Sequence, residues 1–225
     1  MRAVIFDMDG LMFDTERVFV AAWDYAGEKI GIGRAGYMTL KTLGLNRKES
    51  LEVWRQEFGD GYDPEALRIY TKQYLADYYE NNRVPVKRGL YVLLDYLREK
   101  GYRLAVASSS PRWEVEQHLR DAGVFEYFEV VVCGDMIERS KPEPDIYLAA
   151  CEQLGMPPRE CYALEDSRNG LISAHRAGCM PIMVPDLWQP DEEARQISAG
   201  IFEDLEKVKE YLEGLENYRA AKRSF

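Results

Sequence analysis

Two acidic side chains follow directly on an apolar stretch at the start of the chain. Residues 1–6 read MRAVIF, which is typical of a buried strand, and Asp7 and Asp9 come next in a DxDG sequence. A carboxylate at the end of a buried strand is costly unless a metal ion, a hydrogen-bond network or a ligand compensates for its charge. DxDG by itself more often marks a solvated turn, so its meaning depends on what the rest of the chain places beside it.

Polar residues also follow the later predicted strands. They are Ser108 and Ser109, Lys141 in the loop region after a third strand, and Glu165 with Asp166. Each has a simple structural explanation, as a helix cap, a solvated charge or an acidic pair in a first helical turn. Ligands of open parallel sheets bind beyond the carboxyl ends of the strands, where all of these residues would lie. Their occurrence together indicates a site.

A dense group of carboxylates favours a hard divalent cation, and Mg²⁺ fits best. The chemistry that suits such a group is phosphoryl transfer through an aspartyl phosphate. A carboxylate that approaches a phosphate dianion meets a repulsion of about 4 kcal/mol per charge pair at about 4 Å and a dielectric constant near about 20. We therefore expect Mg²⁺ held by Asp7, Asp9 and Asp166, with Lys141 and Ser108 on the phosphate oxygens.

The elements that must position these residues are of two kinds. Between the first predicted strand and residue 84 the pattern is helical, with no strand signal. From residue 84, strand-like and amphipathic helical segments alternate, which predicts an α/β fold with a parallel sheet covered on both faces. We predict five strands in a domain of residues 1–14 and 86–225, and an all-helical insertion of residues 15–85. Ser110 is predicted to cap the helix after the second strand.

The charged set resembles the motifs of the haloacid dehalogenase-like hydrolases, and among them the β-phosphoglucomutase-like phosphatases with a small helical cap. The resemblance extends over essentially the whole chain. It implies a Rossmann-like parallel sheet core with helices on both faces and an inserted all-helical cap domain. The matching residues are Asp7-Met8-Asp9-Gly10-Leu11-Met12-Phe13-Asp14-Thr15-Glu16, Ser108, Ser140-Lys141-Pro142-Glu143-Pro144-Asp145, Glu165-Asp166-Ser167, Gly170 and Ala177-Gly178.

The resemblance also implies a role for each member of the set. Asp7 would be the nucleophile, and Asp9 would be the general acid and base. Phosphate would be bound by Ser108, Ser109 and Lys141. The implied Mg²⁺ ligands are Asp7, Asp9, Glu165 and Asp166.

In this family the cap closes over the edge of the sheet and excludes water, which implies a hinge near residues 14–17. The sequence around Gly44 and Arg47 resembles the cap loop that reaches the substrate, and Trp23 lies on the corresponding face of the first cap helix. Arg47, which Lys48 follows, is equally consistent with a solvated start of a helix. We therefore expect Trp23, Gly44 and Arg47 to contribute to substrate recognition.

Three functions fit this pattern. The first is a phosphatase that acts on a small phosphorylated metabolite, with a sugar phosphate preferred. The second is a β-phosphoglucomutase; the mutases use a histidine on the first cap helix where this chain has Phe19, and both histidines, His118 and His175, lie in predicted core helices. The third is a catalytically silent binding protein, which would be expected to have lost a charged member of the set, and none is missing.

Composition limits the remaining possibilities. The 39 acidic and 29 basic residues give a net charge of −10, without a basic block that would indicate nucleic acid as a partner. No stretch approaches the about 18 apolar residues of a membrane span, and the N-terminus has no leader pattern, so we expect a cytoplasmic protein without a membrane partner. The four widely spaced cysteines are expected to be reduced buried thiols. We expect a monomer or a weak homodimer.

Overall fold

The computed structural model describes residues 2–42 and 47–223, and of these the side chains of 47–49, 60, 219, 220 and 223 lie outside the description. The chain divides into two compact units. One consists of Met1–Met12 with Val86–Phe225, and the other of Phe13–Pro85. Among the described residues, none of the helices has the length and hydropathy to cross a membrane.

The first unit is built on a single sheet. Its strands are β1 (Ala3–Phe6), β2 (Arg103–Ser108), β3 (Val130–Cys133), β4 (Cys161–Glu165), β5 (Met180–Met183) and β6 (Gly200–Ile201). The order across the sheet is β3-β2-β1-β4-β5-β6, and each neighbouring pair is parallel. The Rossmann-like α/β core predicted from the sequence is confirmed, since the strand order reverses at β1 and helices cover both faces.

Helices occupy most of the remaining chain. In the first unit they are α5 (Leu90–Glu99), α6 (Arg112–Asp121), α7 (Asp145–Gln153), α8 (Arg168–Arg176), α9 (Glu192–Ile197) and α10 (Leu205–Arg223). In the second unit they are α1 (Thr15–Ile30), α2 (Met38–Thr42), α3 (Arg47–Phe58) and α4 (Pro64–Asn81). The described residues of the second unit contain helices and no strand, as predicted.

The sheet is buried because its strands are apolar on both faces. All four residues of β1 are 0% exposed. Alternate residues such as Ile5 and Ala105 share one core cluster with Tyr147 and Ala150 of α7 and with Ala174 of α8. The intervening strand residues are also buried, so the opposite face is covered as well. This double burial explains why the strands read as continuous apolar runs.

The register of the three central strands aligns their carboxyl ends. Phe6 lies opposite Val106 of β2 and Leu164 of β4. Asp7, the residue after β1, donates its backbone N–H to the carbonyl oxygen of Leu164 at 3.0 Å. Asp7 and the residue after Leu164, Glu165, therefore leave neighbouring strands at the same edge of the sheet.

The structure corrects the predicted number of strands. It has a sixth strand, β6, of only two residues, Gly200 and Ile201, and a short helix, α9, precedes it. Two residues give no apolar alternation for a sequence pattern to reveal, and β6 forms through its pairing with Ile182 and Met183 of β5. The C-terminal helix, α10, continues to Arg223.

Aromatic side chains fill the core of the helical unit. Trp54 of α3 is 3% exposed and packs edge-to-face against Trp23 of α1, with ring centroids 5.1 Å apart. Tyr62 stacks on Trp54 at 5.3 Å. The rings pack with aliphatic residues such as Met38 and Leu67 in one core cluster of the helical unit. All four cysteines of the chain are buried and free, which confirms the prediction of reduced thiols.

Candidate active site

Asp7 forms a buried ion pair at the carboxyl end of β1, a central strand of the sheet. Its side chain is 9% exposed, and its Oδ1 accepts a hydrogen bond from Nζ of Lys141 at 2.6 Å. The Lys141 side chain is 8% exposed. The contact fixes both side chains, and it is an ion pair whenever the carboxyl of Asp7 is ionised, because a charge this deeply buried needs a partner.

The ammonium of Lys141 binds three oxygen acceptors at the carboxyl ends of the central strands. Besides Asp7, its Nζ donates to Oε1 of Glu165 at 2.7 Å and to the carbonyl oxygen of Ala107 at 3.1 Å. An ammonium has three protons, and these contacts employ all of them. The loop that carries Lys141 is held by α8, where Ser173 donates to the carbonyl oxygen of Glu143 at 2.6 Å.

Glu165 is a carboxylate with no solvent exposure. Its Oε1 accepts hydrogen bonds from Lys141 and, at 2.5 Å, from the hydroxyl of Tyr147, while its Oε2 accepts one from Ser167 at 3.2 Å. Gly170 leaves room for the group, because a β-carbon there would collide with it. Ser167 also caps α8 by accepting from the Gly170 N–H at 3.2 Å. The carboxylate is thus oriented at both oxygens.

Asp9 is oriented by two serine hydroxyls. Ser110 donates to Oδ2 of Asp9 at 2.8 Å, and Ser108 donates to the same oxygen at 3.4 Å. The prediction that Ser110 caps the following helix is wrong, since α6 begins at Arg112 after Pro111 and the Ser110 hydroxyl turns towards Asp9 instead. Ser109 is exposed.

Three carboxylates could hold a metal ion. Oxygen atoms of Asp7, Glu165 and Asp166 lie within 4.8 Å of one another, and all three residues are buried. Gly10, with φ of 77°, lies against the Asp166 carboxylate, which a β-carbon would displace. A donor set of oxygen atoms only is what Mg²⁺ prefers, so these residues fit that ion. Asp9 does not belong to this group of described residues, and its assignment as a ligand stays a prediction.

The charges of the cluster change how its members titrate. Burial raises the pKa of Asp7 to about 8; Lys141 opposes this shift, and Glu165 and Asp9 add to it. Burial would lower the pKa of Lys141, but the two carboxylates beside it outweigh this effect and raise it above its usual value. The ammonium is therefore charged at neutral pH, and the surrounding carboxylates exceed it in number.

The residues predicted in the helical unit are placed less completely. Trp23 is half-buried and packs on Trp54 within that unit. Gly44 and the side chain of Arg47 lie outside the described part of the structure. A role of these three residues in substrate recognition remains a prediction.

Sequence reasoning missed Tyr147, and it gave Ser110 the wrong role. Ser167 was among the residues of the resemblance, but its hydrogen bond to Glu165 was not predicted. Tyr147 follows Lys141 by six residues, inside a helix whose pattern reads as apolar core. A fully buried tyrosine needs a hydrogen-bond partner for its hydroxyl, and this need is the signal that could have directed attention to it. Ser110 looked like a helix cap because its hydroxyl has two competing uses, which the sequence does not distinguish.

Comparison with known proteins agrees with this geometry. The sequence profile of the haloacid dehalogenase-like hydrolases matches residues 1–178. A phosphorylated carbohydrates phosphatase of Thermotoga maritima is 31% identical over 182 residues, which cover 79% of this chain and 82% of that protein. A β-phosphoglucomutase of Bacillus subtilis is 28% identical, with 82% of this chain and 83% of that protein covered.

A solved structure agrees as well. The crystal structure of CbbY from Rhodobacter sphaeroides in complex with phosphate is similar with a TM-score of 0.74 and 28% identity, over 91% of this chain and 95% of that one. Profile, sequence and structure comparisons therefore lead to the same group. The chain belongs to the haloacid dehalogenase-like hydrolases, within them to the β-phosphoglucomutase-like phosphatases, and is a phosphoric monoester hydrolase.

Proposed function

We propose that this enzyme is a Mg²⁺-dependent phosphatase that hydrolyses a small phosphorylated metabolite, a sugar phosphate, through an aspartyl phosphate on Asp7. The observation that carries the proposal is the buried contact of 2.6 Å between Asp7 and Lys141, beside further carboxylates suited to a metal ion. A carboxylate that must meet a phosphate needs nearby positive charge, and this site has a fixed ammonium and a candidate metal position. The similarity to the phosphorylated carbohydrates phosphatase of Thermotoga maritima supports the choice of substrate class.

In the first step, a carboxylate oxygen of Asp7 attacks phosphorus and forms an acyl phosphate, while the ester oxygen departs with a proton from Asp9. In the second step, water attacks the phosphoryl group and Asp9 takes a proton from it. Inorganic phosphate leaves, and the carboxylate of Asp7 is restored. Lys141 remains charged throughout and neutralises the transferring group.

Asp9 can perform both transfers because its orientation is fixed. Ser110 and Ser108 hold its Oδ2 at 2.8 and 3.4 Å. Because the carboxyl of Asp9 is already oriented, the free-energy cost of reaching the reactive geometry is lower. When bound by Asp7, Glu165 and Asp166, Mg²⁺ supplies positive charge that lowers the repulsion between nucleophile and phosphate.

The proposal includes a cap function for the helical unit, with residues 15–85 as the cap and residues 1–14 and 86–225 as the core. Trp23, Gly44 and Arg47 would then select the substrate. We also propose that the enzyme works in the cytoplasm, as a monomer or weak homodimer on a free small molecule.

β-Phosphoglucomutase is the second candidate, because a protein with that activity is among the relatives. A mutase must return the phosphoryl group to a sugar before water takes it. Phe19, which is half-buried on α1, has no proton to exchange at the position where the mutases have histidine. The phosphatase is therefore the preferred assignment.

The test is phosphate release from sugar phosphates, nucleotides and p-nitrophenyl phosphate, with Mg²⁺ or with a chelator, by the wild-type enzyme and by Asp7→Asn. We expect release that requires Mg²⁺ and falls at least about a thousandfold in the variant. β-Glucose 1-phosphate belongs in the panel, with a parallel assay for glucose 6-phosphate. Formation of glucose 6-phosphate with little free phosphate would establish the mutase instead, and release that Asp7→Asn leaves unchanged would refute the aspartyl phosphate.

A further inference from the structure

We propose that Tyr147 is a positioning residue of this site, whose hydroxyl holds Glu165 and through it sets the position of Lys141 beside Asp7. The effect on catalysis rests on the proposed function. The effect on geometry does not, and it can be tested separately.

Tyr147 touches two members of the charged cluster. It is 0% exposed, and its hydroxyl donates to Oε1 of Glu165 at 2.5 Å. The Nζ of Lys141 lies over its ring, 5.3 Å from the centroid. The ring therefore supports the ammonium from one side, while the hydroxyl holds the carboxylate to which the ammonium is bound.

The hydroxyl and the ammonium share one carboxylate oxygen. Lys141 lies almost midway between Glu165, at 2.7 Å, and Asp7, at 2.6 Å. Its position thus depends on how strongly each carboxylate attracts it. A second donor on Oε1 of Glu165 weakens the attraction from that side, which leaves more of the ammonium's charge for Asp7.

Removal of the hydroxyl upsets this balance in a defined direction. Oε1 of Glu165 would then keep its hydrogen bond from Lys141, and this contact would shorten. The ammonium would move towards Glu165 and away from the Asp7 oxygen. The charge that meets the incoming phosphate would be reduced, although no residue that touches the substrate has been changed.

The backbone around Tyr147 is suited to a positioning role. Tyr147 lies in the first turn of α7, where its N–H donates to the carbonyl oxygen of Pro144 at 3.1 Å. At the start of the same helix, the guanidinium of Arg139 donates to Oδ2 and Oδ1 of Asp145 at 3.0 and 2.7 Å. Lys141 lies between Arg139 and Asp145 in the chain, so one short segment supplies both donors to Oε1 of Glu165.

The test compares Tyr147→Phe with Tyr102→Phe. Tyr102 is a matched control because it is 8% exposed, precedes β2 at the opposite edge of the sheet, and donates to Oε1 of Glu216 at 2.9 Å. Both variants remove a hydroxyl from a buried tyrosine that binds a glutamate. We expect kcat of Tyr147→Phe to fall about tenfold with KM changed less than about threefold, because the loss is in the transition state. For Tyr102→Phe we expect kcat within about twofold of wild type, even if its melting temperature falls by as much as that of Tyr147→Phe.

A crystal structure of each variant provides a measurement independent of activity. In Tyr147→Phe we expect Nζ of Lys141 to lie closer to Glu165 than to Asp7, and in Tyr102→Phe we expect both contacts as in the wild type. An unchanged position of Lys141 in Tyr147→Phe overturns the proposal. The proposal is also overturned if the wild-type enzyme is active and kcat of Tyr147→Phe lies within about twofold of the wild-type value. The proposed function would survive that result. A wild-type enzyme inactive on every substrate would instead refute the function, and the crystal structures would still decide the role of Tyr147.

Discussion

The carboxylate of Asp166 occupies the space that a β-carbon on residue 10 would need, so the contact between Asp166 and Gly10 requires glycine at that position. Gly10 also has φ of 77°, a conformation that glycine adopts without strain. The residue three positions after the nucleophile thus determines where a carboxylate from another strand can lie. This contact makes Gly10 part of the candidate metal site, although it has no side chain to offer.

Gly10→Ala is expected to lower the affinity for Mg²⁺ at least about tenfold, since Asp166 must move away from the other two carboxylates. Gly123→Ala is the matched control, because Gly123 has φ of 70° but nothing within 4 Å of the added β-carbon. Both variants lose about 1–2 kcal/mol of stability from the strained backbone. Isothermal titration with Mg²⁺ separates them, and an equal loss of affinity in both would show that strain alone is responsible.

Ser110→Ala is expected to lower kcat about tenfold, because Asp9 loses the donor at 2.8 Å, while the contact from Ser108, at 3.4 Å, is longer and weaker. Ser109→Ala gives a comparison at the neighbouring position, where the side chain is exposed and a phosphate contact is predicted, so that this variant should change KM rather than kcat. Steady-state kinetics on the best substrate of the panel measures both. If Ser109→Ala raises KM while Ser110→Ala has no effect, the predicted phosphate contact of Ser109 is supported and the positioning of Asp9 by Ser110 is refuted.

Much of the site follows from the sequence because parallel strands bring their carboxyl ends to one edge. The register of β1 with β4 places Asp7 and Glu165 side by side, and apolar runs that end in charged residues were sufficient to predict this. The partners of Tyr147 and Ser110 could not be predicted in the same way. They depend on the rotation of α7 about its axis and on where α6 begins, which tertiary packing decides. β6 was missed for a similar reason, since two residues form a strand only where a neighbour already exists.

Asp24 is expected to hold the loop after α1 in place. Its Oδ1 accepts from the Gly36 N–H at 2.7 Å, and its Oδ2 accepts from Arg34 at 2.8 Å through Nε. Burial would raise the pKa of Asp24, but these hydrogen bonds outweigh it and hold the pKa below its usual value. A lowered pKa means stability that is present above about pH 4 and is lost as the pH falls through the folded-state pKa.

We therefore expect Asp24→Ala to lower the stability of the helical unit by about 1–3 kcal/mol at pH 7, with the amide of Gly36 exchanging faster with deuterium. Arg34→Gln tests the exposed contact alone and should change the exchange far less, since Gly36 keeps its acceptor. The difference between wild type and Asp24→Ala should shrink at low pH. Equal exchange at Gly36 in wild type and Asp24→Ala at pH 7 would contradict the assignment.

The affinity for Mg²⁺ is expected to rise with pH. Burial raises the pKa of Asp7 to about 8 in the metal-free protein, from a usual value of 3.8, so below pH 8 the ion must displace a proton from this carboxyl. The apparent association constant should increase about tenfold per pH unit up to about pH 8 and level off above it. In the unfolded chain Asp7 loses its proton near pH 4, so the folded metal-free protein binds more protons between these values. Its free energy of unfolding should therefore fall as the pH rises through that window.

Titration calorimetry between about pH 5.5 and 9 and thermal unfolding with a chelator measure the two effects. Asp7→Asn is the control for the unfolding measurement, because its amide does not titrate and should remove most of the pH dependence of stability in the metal-free protein. Binding of Mg²⁺ should in turn stabilise the wild-type protein most at the upper end of this pH range. There the ion competes with no proton, and the carboxylates repel one another most when no ion is bound. An association constant that stays constant between pH 6 and 8 would mean that Lys141, at 2.6 Å, keeps Asp7 ionised at neutral pH without a metal ion.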